Sequence, residues 1–130
     1  MRRLLRSERG QTMVETAIVL PVVVFMLVAM VDAGRVFHAW LVVTNSAREG
    51  ARAGAARQSE TVVTTRIETS MNGWLCTDAE TTCTTTNVLG ASGTPVQVQV
   101  DRDVTLLSPL IAALWGNVVT LTGDATMQLE

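Results

Sequence analysis

The chain has 130 residues and a formal net charge of −2, which allows one small domain together with an N-terminal membrane segment. Residues 11–130 alone carry six Arg against eleven Asp and Glu, so this part has a formal net charge of −5. An acidic chain lacks the basic stripe that a nucleic-acid-binding protein needs, and we expect no nucleic-acid partner.

Residues 1–10, MRRLLRSERG, form a basic leader peptide that contains four arginines. By the positive-inside rule these arginines keep the N-terminus in the cytoplasm and place the rest of the chain outside. Between Glu15 and Asp32 lie sixteen uncharged residues, about 24 Å of helix at about 1.5 Å per residue. A hydrocarbon core is about 30 Å thick, and outward snorkelling of Arg35 helps to close the difference. We therefore predict a transmembrane and interfacial helix over residues 11–43.

Glu15 stands at the mouth of this apolar segment, in the stretch GQTMVE that begins at Gly10. An isolated carboxylate entering hydrocarbon is costly and usually marks a functional position. One interpretation is cleavage after Gly10, which leaves Gln11 as the first mature residue and lets Glu15 meet a partner inside the membrane. A plain signal anchor with Glu15 at headgroup depth is the second. Conventional signal-peptide cleavage near Ala33 is a third, and both the acidic Glu15 and the continuing helical pattern argue against it.

The spacing from Gly10 to Glu15 resembles the class III leader of type IV prepilins, in which cleavage follows a Gly and a Glu lies at the fifth mature position. Three blocks, RGQTMVETAIVLP, DAGRVF and TNSAREGARAGA, extend the likeness over residues 9–55. Together they resemble the TadE-like minor pilins (pseudopilins) of tight-adherence, or Flp, pili. Two residues depart from the family pattern: Thr16 stands where an aromatic residue tends to follow the Glu, and Ala33 stands where a larger apolar residue is common.

The resemblance implies a single-pass protein of the cytoplasmic membrane that is a prepilin peptidase substrate. It further implies a part in assembling a tight-adherence pilus or its secretion machinery, in support of surface adhesion, and a place in an extracellular pilus after processing. The implied partners are the prepilin peptidase, other pilin subunits, the inner-membrane pilus platform and membrane lipid. Glu15 would then act as an assembly and register residue. The alternative is a membrane-anchored extracytoplasmic binding domain that never enters a filament.

Beyond the apolar run, Asp32 and Arg35 are three residues apart and are predicted to pair on the helix surface. Phe37, His38 and Trp40 follow, and they are predicted to form an interfacial belt of the kind found at headgroup depth. A role for His38 as a ligand or pH sensor is the alternative to membership of that belt.

Small residues dominate the next block, where Gly50 and Gly54 form a G-x-x-x-G and alanines repeat at the same spacing. A face of small residues lets another backbone approach closely. We favour packing of the protein's own sheet on this face over a contact with another subunit. Glu49 and Arg52, on a neighbouring face, are close enough to pair.

A second helix is predicted from Glu60 to about Asn72, with Ser59 as its N-cap and Gly73 as its stop. One apolar stripe recurs along it at helical spacing and is predicted to face the core: Val63, Ile67, Met71 and Trp74.

Cys76 and Cys83 lie seven positions apart in CTDAETTC. Behind a membrane anchor, on the oxidising side, such a pair is predicted to form a disulfide. Metal binding and a free thiol pair are weaker alternatives, since the chain has no second Cys pair and its one histidine, His38, is far off in sequence.

The C-terminal third changes from helical to strand periodicity. Residues 77–94 are predicted to be a loop with one short strand, and 96–106 and 119–129 then alternate apolar and polar side chains, interrupted only by Arg102. An apolar connector lies between them, with Ser108 as a cap and Pro109 at the first helical position. We therefore predict an α+β fold: a long N-terminal transmembrane and amphipathic helix, a second helix, and a small antiparallel sheet packed on the outer half of the helices. Residues 44–130 would form the extracytoplasmic domain.

The sequence contains no recognisable catalytic constellation, and we expect neither an enzyme nor a cofactor or metal. Asp101 and Asp103 flank Arg102 and are predicted to point outward on a solvated strand face. A calcium site on these two carboxylates is the alternative, but it needs more oxygen ligands than the neighbouring sequence offers.

Overall fold

The computed structural model describes residues 8–129. Its elements, in chain order, are α1 (Glu8–Ala55), α2 (Glu60–Ser70), β1 (Thr81–Thr86), β2 (Pro95–Thr105), α3 (Pro109–Trp115) and β3 (Val118–Gln128). The three strands form one antiparallel sheet in the order β1-β2-β3. The predicted α+β architecture is confirmed, and the one short strand expected within 77–94 is β1.

Helix α1 continues unbroken for 48 residues, through Pro21, and is about 72 Å long at about 1.5 Å per residue. Its first half exposes large apolar side chains, whereas its second half buries one stripe against the domain. The stripe recurs every four residues, which is close to one helical turn: Ala39, Val43, Ala47 and Ala51. No break separates residues 43 and 44, so the division of the chain at that point stays a prediction.

Six almost fully buried residues from α2, its C-cap and β2 cover this stripe. They are Val63 and Ile67 from α2, Met71 at its C-cap, and Val96, Val98 and Val100 from β2. Full burial of each such side chain stabilises the folded state by about 1.5–3 kcal/mol. The helical stripe and the strand alternation read from the sequence are therefore the two sides of one core.

Strand β3 alternates as predicted, with Val119, Leu121, Ala125 and Met127 half-buried and the intervening polar residues exposed. Leu129 is buried in the core and Glu130 lies outside the described residues. On β2, the same alternation puts Arg102 on the inner face of the sheet, beyond the last fully buried valine.

Helix α2 ends at Ser70, two residues before the predicted end. Met71 is its C-cap, and the backbone then turns through the left-handed region at Asn72 (φ 53°) and Gly73 (φ 108°). Ser59 is the N-cap residue, but its hydroxyl oxygen contacts that of Thr61 at 3.0 Å and makes no capping bond to a backbone N–H.

The disulfide between Cys76 and Cys83 is present, and it confirms the prediction. It ties the segment after α2 to the middle of β1. Closing so short a loop stabilises the fold by about 2–3 kcal/mol on the chain-entropy model. The Cys76 N–H also donates to Glu68 Oε1 at 3.1 Å, which fixes the same segment to α2.

Gly123 on β3 marks the closest approach of the sheet to α1. A Cβ atom there would lie 2.5 Å from the carbonyl oxygen of Val43 and 2.8 Å from the amide nitrogen of Thr44. Both are backbone atoms of a helix, so neither can move without disturbing α1. Glycine at position 123 is therefore required by the docking of sheet on helix.

Replacing Gly123 with Ala should destabilise the fold by about 1–3 kcal/mol, the usual effect of overpacking a tight contact. The measurement is the urea midpoint of the detergent-solubilised full chain, followed by circular dichroism. Gly34→Ala is the matched control, because a Cβ at position 34 meets no described atom within 4 Å. An unchanged midpoint for Gly123→Ala would contradict the close approach.

Candidate functional site

The N-terminal half of α1 is exposed along its length and carries the predicted processing and assembly residues. Gly10, Gln11 and Glu15 lie in its first turns, and all three are exposed. A Cβ at Gly10 would meet no described atom within 4 Å, so the folded chain itself does not require glycine there.

Large apolar side chains follow on all sides of this part of the helix. Ile18 is 68% exposed and Met30 is 74% exposed. The helix is long and apolar enough to cross a membrane, and none of its most apolar window is buried in the structure. Continuous apolar exposure of this extent marks a surface that membrane or protein must cover.

Asp32 ends the apolar run and is only 2% exposed. Its carboxylate accepts the Leu107 N–H at 3.0 and 3.1 Å and the Ser108 N–H at 2.8 Å. Arg35 Nη1 lies 3.4 Å from Oδ1 and also donates to the Thr105 carbonyl oxygen at 3.0 Å. A buried charge is tolerated only when it is paired and hydrogen-bonded, and Asp32 meets both conditions.

The sequence prediction for Asp32 was right about its partner and wrong about its place. Arg35 pairs with it, but the carboxylate faces the connection between β2 and α3 and is not on the helix surface. Its shortest hydrogen bonds come from backbone amides, and such partners cannot be identified from residue types in the sequence. The only feature of the sequence that could have indicated a buried Asp32 is its position directly after a long apolar run.

A groove of about 420 Å³ opens beside Asp32, between α1 and the β1–β2 side of the domain. His38 and Trp74 meet in it edge to face, with ring centroids 6.3 Å apart. His38 therefore faces the domain and is not only a member of an interfacial belt. Phe37 and Trp40, with ring centroids 6.0 Å apart, are both exposed on α1 and remain available for that belt.

Arg102 closes the same groove from the sheet. Its guanidinium carbon lies 4.4 Å from the Trp74 ring centroid, a cation–π contact, and Nη2 lies 3.0 Å from Glu80 Oε2. Nη1 lies 3.8 Å from Asp78 Oδ2 and donates to the Thr81 hydroxyl. Arg102 is thus an inward-facing residue at the rim of the core, with its charge already matched.

Gly50 and Gly54 are covered by the chain itself. A Cβ at Gly50 would lie 2.6 Å from Ile67 Cγ1, and one at Gly54 would lie 2.8 Å from Val96 Cγ1. The small residues therefore admit α2 and β2, which is the interpretation we favoured from the sequence. Glu49 and Arg52, on the exposed side, pair at 3.6 Å.

Asp101 and Asp103 lie on the outer face of the sheet, opposite to Arg102. Asp101 accepts from the Thr122 hydroxyl and Asp103 from the Thr120 hydroxyl, both at 2.6 Å. Each carboxylate is thus held by its neighbour strand. Within residues 8–129 no three His, Cys, Asp or Glu side chains are grouped so that they could hold a metal ion.

Replacing Asp32 with Ala should lower stability by several kcal/mol, because it removes the acceptor of the part-buried Leu107 N–H and the buried Ser108 N–H, and also the partner of Arg35. A buried donor left without an acceptor costs about 1–3 kcal/mol. Amide hydrogen exchange at Leu107 and Ser108 should accelerate with the loss of stability. Asp124→Ala, at an exposed position of β3, is the control and should leave both measurements unchanged. Unchanged protection of Leu107 and Ser108 in Asp32→Ala would show that the carboxylate does not hold them.

Comparison with known proteins adds one match. Residues 10–52 match the family model described as TadE-like protein. No curated protein and no solved structure matches the chain. The matched segment begins at Gly10 and includes Glu15, the apolar run, Asp32 and the buried stripe of α1. The match covers residues 10–52 only, and it confirms the resemblance to TadE-like proteins seen in the sequence.

Proposed function

We propose that the protein is a minor pilin, or pseudopilin, that takes part in assembling a tight-adherence pilus or its secretion machinery and so supports surface adhesion. The TadE-like match over residues 10–52 indicates association with such a pilus. The observation that carries the finer proposal is α1 itself: one continuous helix, exposed and apolar in its first half, with a small domain packed on its second half. Such a helix can pass from a bilayer into a bundle of like helices without refolding.

The proposed location is the cytoplasmic membrane, crossed once, with the N-terminus in the cytoplasm and the domain outside. The basic leader supports this orientation through the positive-inside rule. Arg2, Arg3 and Arg6 lie outside the described residues, so the argument rests on their sequence alone. The disulfide between Cys76 and Cys83 supports an oxidising compartment for the domain.

The proposed partners are the prepilin peptidase, other pilin subunits, the inner-membrane pilus platform and membrane lipid. The role is structural, not enzymatic. Support for a structural role comes from the surfaces. Arg102 pairs with Glu80 in the groove, and Asp101 on the outer sheet face accepts from Thr122, whereas the apolar half of α1 is left for a partner to cover.

A membrane-anchored binding domain that never enters a filament is the second candidate, and the groove beside Asp32 favours it. Anchored binding domains need a recess outside the membrane, and this groove of about 420 Å³ is one. The two candidates differ in their use of Gly10 and Glu15, since a simple anchor needs neither cleavage nor a carboxylate at the membrane entrance.

Cleavage of the leader after Gly10 should leave Gln11 as the first residue. The intact mass of membrane-extracted protein measures this directly. Gly10→Glu should block cleavage, because a long charged side chain cannot occupy a peptidase site shaped for glycine. The fold should not suffer, since a Cβ at Gly10 meets no described atom. A wild-type mass that begins at Met1 would contradict processing, and one that begins at Gly34 would indicate conventional signal cleavage.

Glu15 supplies the physical basis for assembly in this proposal. After cleavage, the α-amino group of Gln11 lies four residues from the Glu15 carboxylate, and each pilin-type partner carries the same two groups. In a medium of low dielectric an amine of one subunit and a carboxylate of another attract strongly, while either charge left alone is heavily penalised. The pair would therefore favour one register of neighbouring helices over others.

Glu15→Ala and Glu15→Gln should leave membrane insertion intact but remove the protein from its pilus complexes, because each abolishes the charge. The measurement is co-purification with partner pilins after mild detergent extraction. Glu60→Gln is the control, since Glu60 is an exposed carboxylate on the domain. Wild-type recovery of partners by Glu15→Ala would overturn the register role and favour the plain anchor.

A further inference from the structure

The connection between β2 and β3, residues 106–117, contains α3 and belongs to a longer stretch, 104–123, without a single charged side chain. We propose that this connection is a second membrane element, which inserts its exposed apolar side chains into the outer leaflet of the bilayer beside α1. The proposal rests on the proposed function only in requiring that α1 crosses a membrane. It does not depend on cleavage or on entry into a pilus.

The topology delivers the connection to the membrane end of the domain. Strand β2 runs against the direction of α1: Val96 lies against Gly54, and Val98 lies against Gly50. Nine residues after Val96, the carbonyl of Thr105 accepts a hydrogen bond from Arg35, which lies three residues after Asp32. The chain therefore leaves β2 at the level where α1 leaves the bilayer, and continues toward the apolar side.

The connection reaches below that level. Ser108 is hydrogen-bonded to Asp32, and Pro109 lines a groove of about 460 Å³ together with residues of the apolar run. These residues lie between Glu15 and Asp32 and form the membrane-spanning part of α1: Leu20, Pro21, Val24, Phe25 and Val28. A bilayer that surrounds this part of the helix must also meet Pro109 and the start of α3.

The exposed side chains of the connection match those of the spanning helix. Leu107 is 61% exposed and Leu114 is 74% exposed, beside 68% for Ile18 and 74% for Met30 on α1. The connection and the spanning helix meet at the groove that Pro109 lines, which brings the two apolar surfaces near each other. Lipid that covers the first surface would cover the second with no further partner.

Several backbone amides of the connection are paired within the chain, which favours insertion because an unsatisfied amide inside a bilayer is costly. The N–H groups of Leu107 and Ser108 are taken by Asp32, and the Leu106 N–H donates to the Asn117 carbonyl at 2.9 Å. Within α3 the Ala112 N–H donates to the Ser108 carbonyl at 3.0 Å. Asp32 therefore has a second role: it satisfies the amides that the inserted connection would otherwise expose to lipid.

Single-cysteine labelling of the full chain in phosphatidylcholine–phosphatidylglycerol vesicles tests the proposal. Cys76 and Cys83 are joined to each other, so an environment-sensitive thiol-reactive dye labels only an introduced cysteine. Leu114→Cys probes α3, and Leu27→Cys, at a 59% exposed position of the span, reports insertion of α1. Leu89→Cys is the matched control, since Leu89 is 71% exposed but lies in the β1–β2 loop.

Quenching by lipids with spin labels on their acyl chains is the readout. We expect the dye at position 114 to be quenched several-fold more than the dye at 89, and to approach the quenching at 27. Leu107→Cys, 61% exposed, should repeat the result and guards against misfolding of a single variant. Quenching at 27 without quenching at 114 and 107 would overturn the proposal and leave the membrane anchor standing.

Two further outcomes are decisive. A dye at 114 and 107 that reports an apolar surrounding but escapes lipid quenching would mean that protein, such as a second copy of this chain, covers α3, and the proposal would fall. A dye at 27 that escapes quenching would mean that α1 itself does not insert, and the proposal would fall together with the proposed membrane location.

Discussion

One stripe of buried residues on the outer half of α1 is the constraint on which the rest of the fold depends. Its members are small enough that the valines of β2 and the apolar stripe of α2 can come close to the helix. At Gly50 and Gly54 there is no room even for a methyl group unless Ile67 or Val96 moves, and at Gly123 the sheet in turn comes within van der Waals contact of the α1 backbone. The glycines on both α1 and the sheet thus set the distance between helix and sheet.

The surroundings of α1 differ on the two sides of Asp32. After Asp32, one stripe of α1 is buried, and the exposed side chains include the aromatic pair Phe37 and Trp40 and the ion pair Glu49 and Arg52. Before Asp32, apolar side chains face outward on all sides, as in a helix surrounded by lipid or by other helices. Because α1 has no break between the two regimes, the orientation of the domain is tied to the orientation of the exposed segment.

Much of the architecture could be predicted from the sequence because each element carries its own periodicity. The stripe of Val63, Ile67 and Met71 and the alternation of Val96, Val98 and Val100 each identify an element and its buried face. Where the determinants are tertiary, prediction failed. Asp32 was expected on the helix surface but is buried. Its partners are the backbone amides of residues 107 and 108, which are far away in sequence, and a backbone amide cannot be recognised from the residue type.

Arg102 shows a related limit. The alternation of side chains along β2 places Arg102 on the inner face, yet in the sequence it looks like an interruption of the valine pattern. It is tolerated there because Trp74, Glu80 and Thr81 surround its guanidinium at the rim of the core. The sequence does contain these partners, but their convergence on one point depends on the turn after α2 and on the disulfide that follows it. Gly10 and Glu15 differ from Asp32 and Arg102, because both are exposed and their sequence spacing alone makes them recognisable.

Asp32 joins these two kinds of residue. It belongs to the matched N-terminal segment, and it is also the residue through which that segment holds the far end of the sheet. Arg35 pairs with its carboxylate, and the hydrogen bonds from Leu107 and Ser108 fix the β2–β3 connection at the point where the exposed apolar part of α1 ends. The buried charge of Asp32 thereby links the domain to the exposed part of the helix.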